Sequence, residues 1–502
     1  MLDSWFVTSA KILVFTFVFI IGVAVLAAII MYFIDKTQKK HTIRRNFPVI
    51  GRFRWMFEHL GEFFRQYFFA QDREELPFNR AQRTWVYRAA KNEDNTVAFG
   101  STRNLDRRGA MIFLNCAFPV MSKDVVEAEK MIIGPYAKQP YKTNSFFNIS
   151  GMSFGALSKP AVQALSHGAK KAGIWLNTGE GGISPFHLEG GCDVVYQIGT
   201  AKYGCRTEDG GFDWLKLENI GKLPQVKMIE LKLAQGAKPG KGGILPAEKV
   251  TEEIAFIRGI KPGHASISPN RHPEIKSAAE LLDIINKIRD SSGLPVGFKM
   301  VMGGNAWLHD LFQEIHDRGI QSAPDFITLD SGDGGTGAAP QSLMDDVGMV
   351  IKESLPMLVD FRNQYGFKDR IRIIASGKLI TPAEVAWAIC AGADFINNGR
   401  GFLFSLGCIQ ALKCNKNTCP TGITTHDPDL QEGLVVEDKT DRVANFAQHM
   451  IKEVGTIAHS CGVNEPRALN RSHVRMVFSN SISQPLDILF PDQAIKPEYE
   501  QN

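Results

Sequence analysis

The sequence is poor in several features that would have directed its reading. It has no long basic run. Lys and Arg number 57 against 53 Asp and Glu, a formal net charge of +4. Nucleic acid is therefore not an expected partner, because a phosphate backbone is bound by concentrated, one-sided positive charge. Cysteine is sparse, 8 in 502 residues, too few for a secreted disulfide scaffold. No internal repeat is visible. No Gly-x-Gly-x-x-Gly follows a strand within a βαβ unit, so no nicotinamide-binding fold is expected. With 44% hydrophobic and 22% charged residues, the composition is that of a folded chain. It suffices for one domain of roughly 250–300 residues plus appendages.

What is present begins with an apolar run. Ile12 to Ile34 contains no charge. As a helix it is roughly 35 Å long, enough for a hydrocarbon core of about 30 Å. A cleaved signal peptide has a shorter apolar region ending in small residues. This run ends in Met31, Tyr32, Phe33, Ile34 and then Asp35. The expectation is a single-pass anchor. Asp3 and Lys11 precede it; Lys36, Lys39, Lys40, Arg44 and Arg45 follow it. The positive-inside rule then predicts a cytoplasmic catalytic domain, a compartment that keeps thiols reduced. The next stretch mixes Phe53, Trp55, Phe57, Phe63, Phe64, Tyr67, Phe68 and Phe69 with Arg52, Arg54 and Arg65. Two readings stand: a helix lying on the membrane, or an aromatic stripe packed on the main domain.

From about residue 140 short apolar runs alternate with amphipathic segments. The runs are Asn148–Gly151, Trp175–Gly179, Met228–Ala234, Ala265–Pro269, Val296–Val301, Phe326–Asp330, Arg372–Gly377 and Phe395–Arg400. Lys159–Ala172, Ala278–Arg289 and Pro382–Ala391 carry helical periodicity. Eight strand-like runs joined by helices predict an α/β fold, a (β/α)8 TIM barrel with helical flanking segments. Each run ends in glycine or polar residues, and in a barrel those ends share the C-terminal face where active sites sit. Ser376-Gly377 and Gly399-Arg400 close the seventh and eighth runs. Such loops commonly bind phosphate through backbone N–H groups, and Arg400 adds a charge-assisted contact. Lys299 lies in an apolar strand context. Facing the barrel mouth it can hold negative charge on a cofactor ring; the alternative is a structural ion pair.

Cys408, Cys414 and Cys419 fall within twelve residues, spaced C-x5-C-x4-C and followed by Pro420. Zinc sites favour C-x2-C pairs. Thiolates beside a cofactor suit iron–sulfur ligation, with either a three-iron cluster or a four-iron cluster completed from outside; three buried, unliganded thiols are the alternative. Cys116, Cys192, Cys205, Cys390 and Cys461 are expected to be structural.

Several long segments together resemble the synthase domain of the FMN-binding glutamate synthase family, from about residue 145 to 430. They are Ser150-Gly-Met-Ser-Phe-Gly-Ala-Leu-Ser158, Gly179-Glu-Gly-Gly182, Lys232-Leu-Ala-Gln-Gly-Ala-Lys-Pro-Gly240, Ile267-Ser-Pro269, Asp333-Gly-Gly-Thr-Gly-Ala-Ala-Pro340, and Gly407-Cys408 through Cys419-Pro-Thr-Gly422. The resemblance implies a barrel carrying FMN and a [3Fe–4S] cluster held by Cys408, Cys414 and Cys419. It implies electron flow from the cluster to FMN and on to 2-iminoglutarate, formed from 2-oxoglutarate and ammonia. Carried over by motif, Gly151, Met152, Ser153, Lys299, Asp333, Gly334, Gly335, Gly377, Gly399 and Arg400 line the FMN. Glu180, Gln235, Lys238 and Arg258 lie at the substrate end. Two cations there answer the two carboxylates of the keto acid, and Glu180 orients an imine or relays a proton.

Three departures accompany the resemblance. Glutamate synthase proper opens with a glutaminase domain and a nucleophilic cysteine, whereas this sequence opens Met1-Leu2-Asp3; a glutaminase domain of its own is not expected. Ile244 stands where the family commonly has glutamine, which removes a polar partner near the keto acid. The family has no membrane helix in this place. The expected partners are a keto or imino acid, an electron donor such as ferredoxin or a separate reductase, and the membrane; oligomeric state is left open. Rival readings are a flavin-dependent isomerase of the isopentenyl diphosphate type and a non-catalytic membrane electron-relay subunit. The expected organisation is an anchor with a basic segment (1–40), an aromatic-rich helical region (41–139), the barrel (140–430) and a helical extension (431–502).

Overall fold

The computed structural model describes residues 2–479 and 482–491. The expected C-terminal extension therefore ends outside the described residues, as do the side chains of Asp3 and Phe63. The chain divides into two units, Met1–Ala81 and Gln82–Asn502.

The first unit opens with the helix Leu2–Thr37. Its apolar side chains face outward: Phe15 is 75% exposed and Phe19 70%. Trp5–Thr37 is long and apolar enough to cross a membrane. Asp35, the first charge after the apolar run, is buried. It accepts from the Val49 N–H at 3.0 Å and from both Nε and Nη2 of Arg52 at 2.8 Å. A short helix, Thr42–Asn46, lies between these partners, and Gly51–Phe64 follows, running directly into a π-helical turn at Arg65–Phe69.

The second unit is built on a closed barrel of eight parallel strands in sequential order. They are β1 (Phe147–Ile149), β2 (Leu176–Asn177), β3 (Val194–Ile198), β4 (Val226–Lys232), β5 (Val296–Val301), β6 (Phe326–Asp330), β7 (Arg372–Ser376) and β8 (Phe395–Asn398). The expected TIM barrel is thus present, with one exchange among its strands. Val194–Ile198 is a barrel strand outside the eight predicted runs. The predicted run at Ala265–Pro269 is no barrel strand. Ser266–Ile267 pairs antiparallel with Ile244–Leu245 in a two-stranded ribbon within the long β4–β5 connection. The reason is burial: all five residues of β3 are buried, whereas Ile267 is 70% exposed.

The two ends of the barrel differ. At the N-terminal end the hairpin of Met131–Ile133 and Tyr141–Thr143 packs Ile133 and Tyr141 into a cluster with Trp175, Val195, Met228, Phe326, Ile374 and Phe395. Asp325, at the foot of β6, accepts from Arg289 at 2.9 Å and Arg370 at 2.8 Å. This end is a sealed, stabilising face. In the interior, Glu230 of β4 accepts from Asn177, Gln197 and Thr328 on three other strands, at 2.9, 2.6 and 2.5 Å. A buried carboxylate persists only when its oxygens are satisfied in this way.

The helix Lys159–Ala172 packs on Val436–Ser460. At Gly168 an added Cβ would lie 2.5 Å from Val443, so only glycine permits that approach. Beyond Val436–Ser460 the chain is not helical throughout. Val474–Ser479 and Ile482–Pro485 join Met111–Phe113 in a three-stranded antiparallel sheet.

Candidate active site

The C-terminal end of the barrel opens into a cavity whose empty space, with the open solvent at its mouth counted in, is about 1430 Å³. Gly151, Met152, Ser153, Glu180, Gln235, Lys238, Arg258, Lys299, Gly335, Ser376, Gly377, Gly399, Arg400 and Cys414 all line it. Asp333 and Gly334 are not among the lining residues. Asp333 ion-pairs with Lys378 at 2.8 Å and accepts from Ser331. Gly334 donates its N–H to Ser331 O at 2.9 Å.

One end of the cavity is made of backbone. Gly377, following β7, has φ +112°, and an added Cβ there would lie 2.5 Å from the Ser331 Cβ. Only glycine fits. Gly399 is different: its nearest side-chain atoms lie 3.7 and 3.8 Å away, on Met152 and Ser150. Its backbone therefore borders open cavity, as a close-approaching phosphate requires. Arg400 bridges loops: one guanidinium nitrogen donates to Thr336 O and another lies 3.8 Å from Cys414 Sγ.

The floor carries a charge pair. Lys299 Nζ stands 3.2 Å from Asp330 Oδ2, which also accepts from the Gly236 N–H at 2.8 Å. Burial works against the Lys299 charge, but Asp330 and Glu230 outweigh it and hold its pKa above the usual lysine value.

The opposite end is made of charged side chains. Glu180 pairs with Lys232 at 2.9 Å. Burial raises its pKa, but Lys232, Lys238 and Arg258 together bring it below the ordinary carboxylate value. Lys232 also donates to Gln235, whose amide donates to Thr336 Oγ1 at 2.9 Å. Arg258 lies 5.0 Å over the Tyr203 ring and contacts Ser266 Oγ and Phe154 O, each at 3.4 Å. Burial and the neighbouring Lys232 push Lys238 down to about 8. Three cations thus share one carboxylate. Ile244 lines this cavity as well.

The three cysteines lie on one loop after the helix Arg400–Ser405. Gln410, Leu412 and Asn417 in this loop have φ of 58°, 56° and 56°, a left-handed conformation that costs non-glycine residues energy and is concentrated at functional sites. Burial pushes the Cys408 thiol up to about 11. Burial opposes ionisation of Cys419 too, but hydrogen bonding to Thr421 and Thr424 brings its pKa below the usual thiol value. Lys249 is buried beneath the loop and donates to Cys414 O at 2.9 Å, to Ala156 O at 3.3 Å and to Thr424 O. Among the described residues, no three His, Cys, Asp or Glu side chains stand close enough to hold a metal ion together. In donor chemistry the set fits an iron–sulfur cluster: three soft thiols on one loop, flanked by the cations of Arg400 and Lys249.

Lys232, Glu230 and Lys249 had no assigned role in the sequence. Glu230 carried a usable signal, a carboxylate inside the apolar strand VKMIELK, the same anomaly that marked Lys299. Lys249 carried none, since it acts through a distant loop.

The site thus combines a parallel barrel, a glycine-lined cavity, a buried lysine at its floor and a thiol loop at its rim, and similarity to known sequences gives it the class of oxidoreductase. A family profile described as "Conserved region in glutamate synthase" matches residues 107–464, and the chain belongs to the FMN-binding glutamate synthase family. It is 39% identical over 498 residues to the glutamate synthase large subunit-like protein YerD of Bacillus subtilis (strain 168), covering 91% of this chain and 94% of that protein. It is 33% identical over 332 residues to the archaeal-type glutamate synthase (NADPH) of Thermotoga sp. (strain RQ2), covering 65% of this chain and 62% of that relative. Among solved structures, flavocytochrome b2 with pyruvate bound aligns over 89% of this chain and 93% of that chain, at 13% identity and a TM-score of 0.45, too low to bear on the site.

Proposed function

We propose that this chain is an FMN-dependent oxidoreductase that reduces an imino acid, forming glutamate from 2-oxoglutarate and ammonia. The observation that carries the proposal is the charge balance at the substrate end: Lys232, Lys238 and Arg258 around the single carboxylate Glu180. The surplus of two positive charges matches a dicarboxylate, and buried positive charge is stabilised by such a partner.

The geometry supports the following residue roles. Backbone at Ser376, Gly377 and Gly399, with Arg400, would hold the FMN phosphate. Gly151, Met152, Ser153 and Gly335 border the same cavity, and Asp333, paired with the cavity-lining Lys378, and Gly334 stand in the adjoining turn. Bound FMN supplies hydride transfer. Lys299, kept cationic by Asp330, stabilises negative charge at the cavity floor. Lys238 and Arg258 bind the substrate carboxylates, Gln235 fixes the carbonyl or imine end, and Glu180 orients the imine nitrogen or relays its proton. Cys408, Cys414 and Cys419 would hold a [3Fe–4S] cluster, which would supply one-electron transfer, and ferredoxin or a separate reductase is the electron donor of this reading.

The apolar helix Trp5–Thr37 is read as a single membrane span. Lys36, Lys39, Lys40, Arg44 and Arg45 beyond it support a cytoplasmic catalytic unit.

The decisive assay uses anaerobically purified protein, reduced by dithionite or ferredoxin, supplied with 2-oxoglutarate and ammonia. Glutamate should form as the flavin reoxidises. Reduced flavin that persists, with no glutamate formed, overturns the reaction.

A further inference from the structure

We infer that the helix Gly51–Phe64 and the turn Arg65–Phe69 lie flat in the headgroup–acyl boundary of an anionic bilayer, as a second membrane contact beside the span. The inference rests on the reading of Trp5–Thr37 as that span.

The first support is the apolar face. Phe53, Met56, Phe57, Leu60, Phe64 and Phe68 recur at helical spacing and are all exposed, from 36% at Leu60 to 73% at Phe68. Arg54, Glu58 and Glu62 of the helix and Arg65 of the turn fall roughly 90–170° around the axis from that stripe. A continuous apolar stripe opposite a charged face is the pattern of an interfacial helix.

The second support fixes the depth. Asp35 ends the apolar run of the span and is pinned to the start of the second helix, through the Val49 N–H and the paired contact with Arg52. The helix therefore begins where the span leaves the hydrocarbon. Asp35 and Arg52 neutralise each other, so this joint is compatible with interfacial depth. Arg44 lies 4.8 Å over the Trp55 ring, folding the intervening segment against the helix. Lys36, Lys39, Lys40, Arg44 and Arg45 bring five cations to this short stretch, which selects anionic headgroups.

The test places the full chain in nanodiscs of equal parts phosphatidylcholine and phosphatidylglycerol. An environment-sensitive fluorescent amino acid replaces Val18, Phe57 or Glu58 in turn, and brominated acyl chains serve as quencher. Emission at Val18 and Phe57 should be largely lost, and emission at Glu58 largely kept. Quenching at Val18 without quenching at Phe57 overturns the interfacial helix and leaves the span intact. No quenching at Val18 overturns the span, and the interfacial helix with it. Replacing phosphatidylglycerol by phosphatidylcholine should weaken the Phe57 quench; an unchanged signal overturns the anionic preference.

Discussion

The two ends of the cavity are made of opposite materials. The end bordered by Gly377 and Gly399 is backbone, shaped by residues that lack a side chain. The end around Glu180 is side-chain charge, with Lys232, Lys238 and Arg258 converging from β4 and the long connection after it. Backbone dipoles are fixed by the fold and change little with conditions. Side-chain charges titrate and respond to substitution. The first end therefore suits a resident group, and the second a substrate that must enter and leave.

The largest break in this comparison is expected at the floor between the two ends. Lys299→Met leaves Asp330 buried with only the Gly236 N–H of its present partners. Removing one member of a buried pair costs about 3–5 kcal/mol. The variant should unfold at markedly lower denaturant and be purified with little flavin, as absorbance spectra and chemical denaturation will report.

The backbone end can be split by a pair of alanines. Gly377→Ala forces a left-handed alanine against Ser331, which should lower stability by about 1–3 kcal/mol. Gly399→Ala meets no atom closer than 3.7 Å, so its cost should appear only in FMN affinity, at unchanged melting temperature. Equal losses of stability in both variants would contradict the distinction drawn between the two glycines.

The side-chain end should respond to pH. Lys238 in the folded chain titrates near 8, against an ordinary value of 10.5. As pH rises through 8 it loses its charge, so kcat/KM for the oxo acid should fall, roughly tenfold for each further pH unit in the limiting case. Its effect on stability has the opposite sign. Between pH 8 and 10.5 the unfolded chain binds the proton that the folded chain has released, so this group makes stability rise with pH. Lys238→Met should remove that limb of the profile.

The smallest effect is expected from Ile244→Gln. It restores a polar partner at the cavity wall while leaving the three cations in place. KM for 2-oxoglutarate should drop by up to about tenfold, the scale of one ordinary net hydrogen bond. An unchanged KM would place the substrate away from Ile244.

The sequence exposed the backbone end more completely than the charged one. Ser376-Gly377 and Gly399-Arg400 were legible because local glycine motifs sit directly after strands, and Lys299 because a charge in an apolar strand is anomalous. Glu180, Gln235, Lys238 and Arg258 came only through the resemblance, since nothing in their spacing shows that they converge. Lys232 and Lys249 went unassigned for the same reason. The antiparallel ribbon at Ser266–Ile267 reads as a barrel strand in the sequence because a ribbon strand carries the same local pattern as a barrel strand.

By itself the sequence determined the barrel, the apolar N-terminal helix and the loops that border the cavity, because periodicity and glycine placement are local properties of the chain. Only the tertiary structure decided that β3 closes the barrel and that Asp333 pairs with Lys378. It alone gathered three cations around Glu180 and set Lys249 beneath the cysteine loop. Each of those outcomes depends on distances between segments far apart in sequence, which burial and closure of the barrel fix and local pattern does not encode.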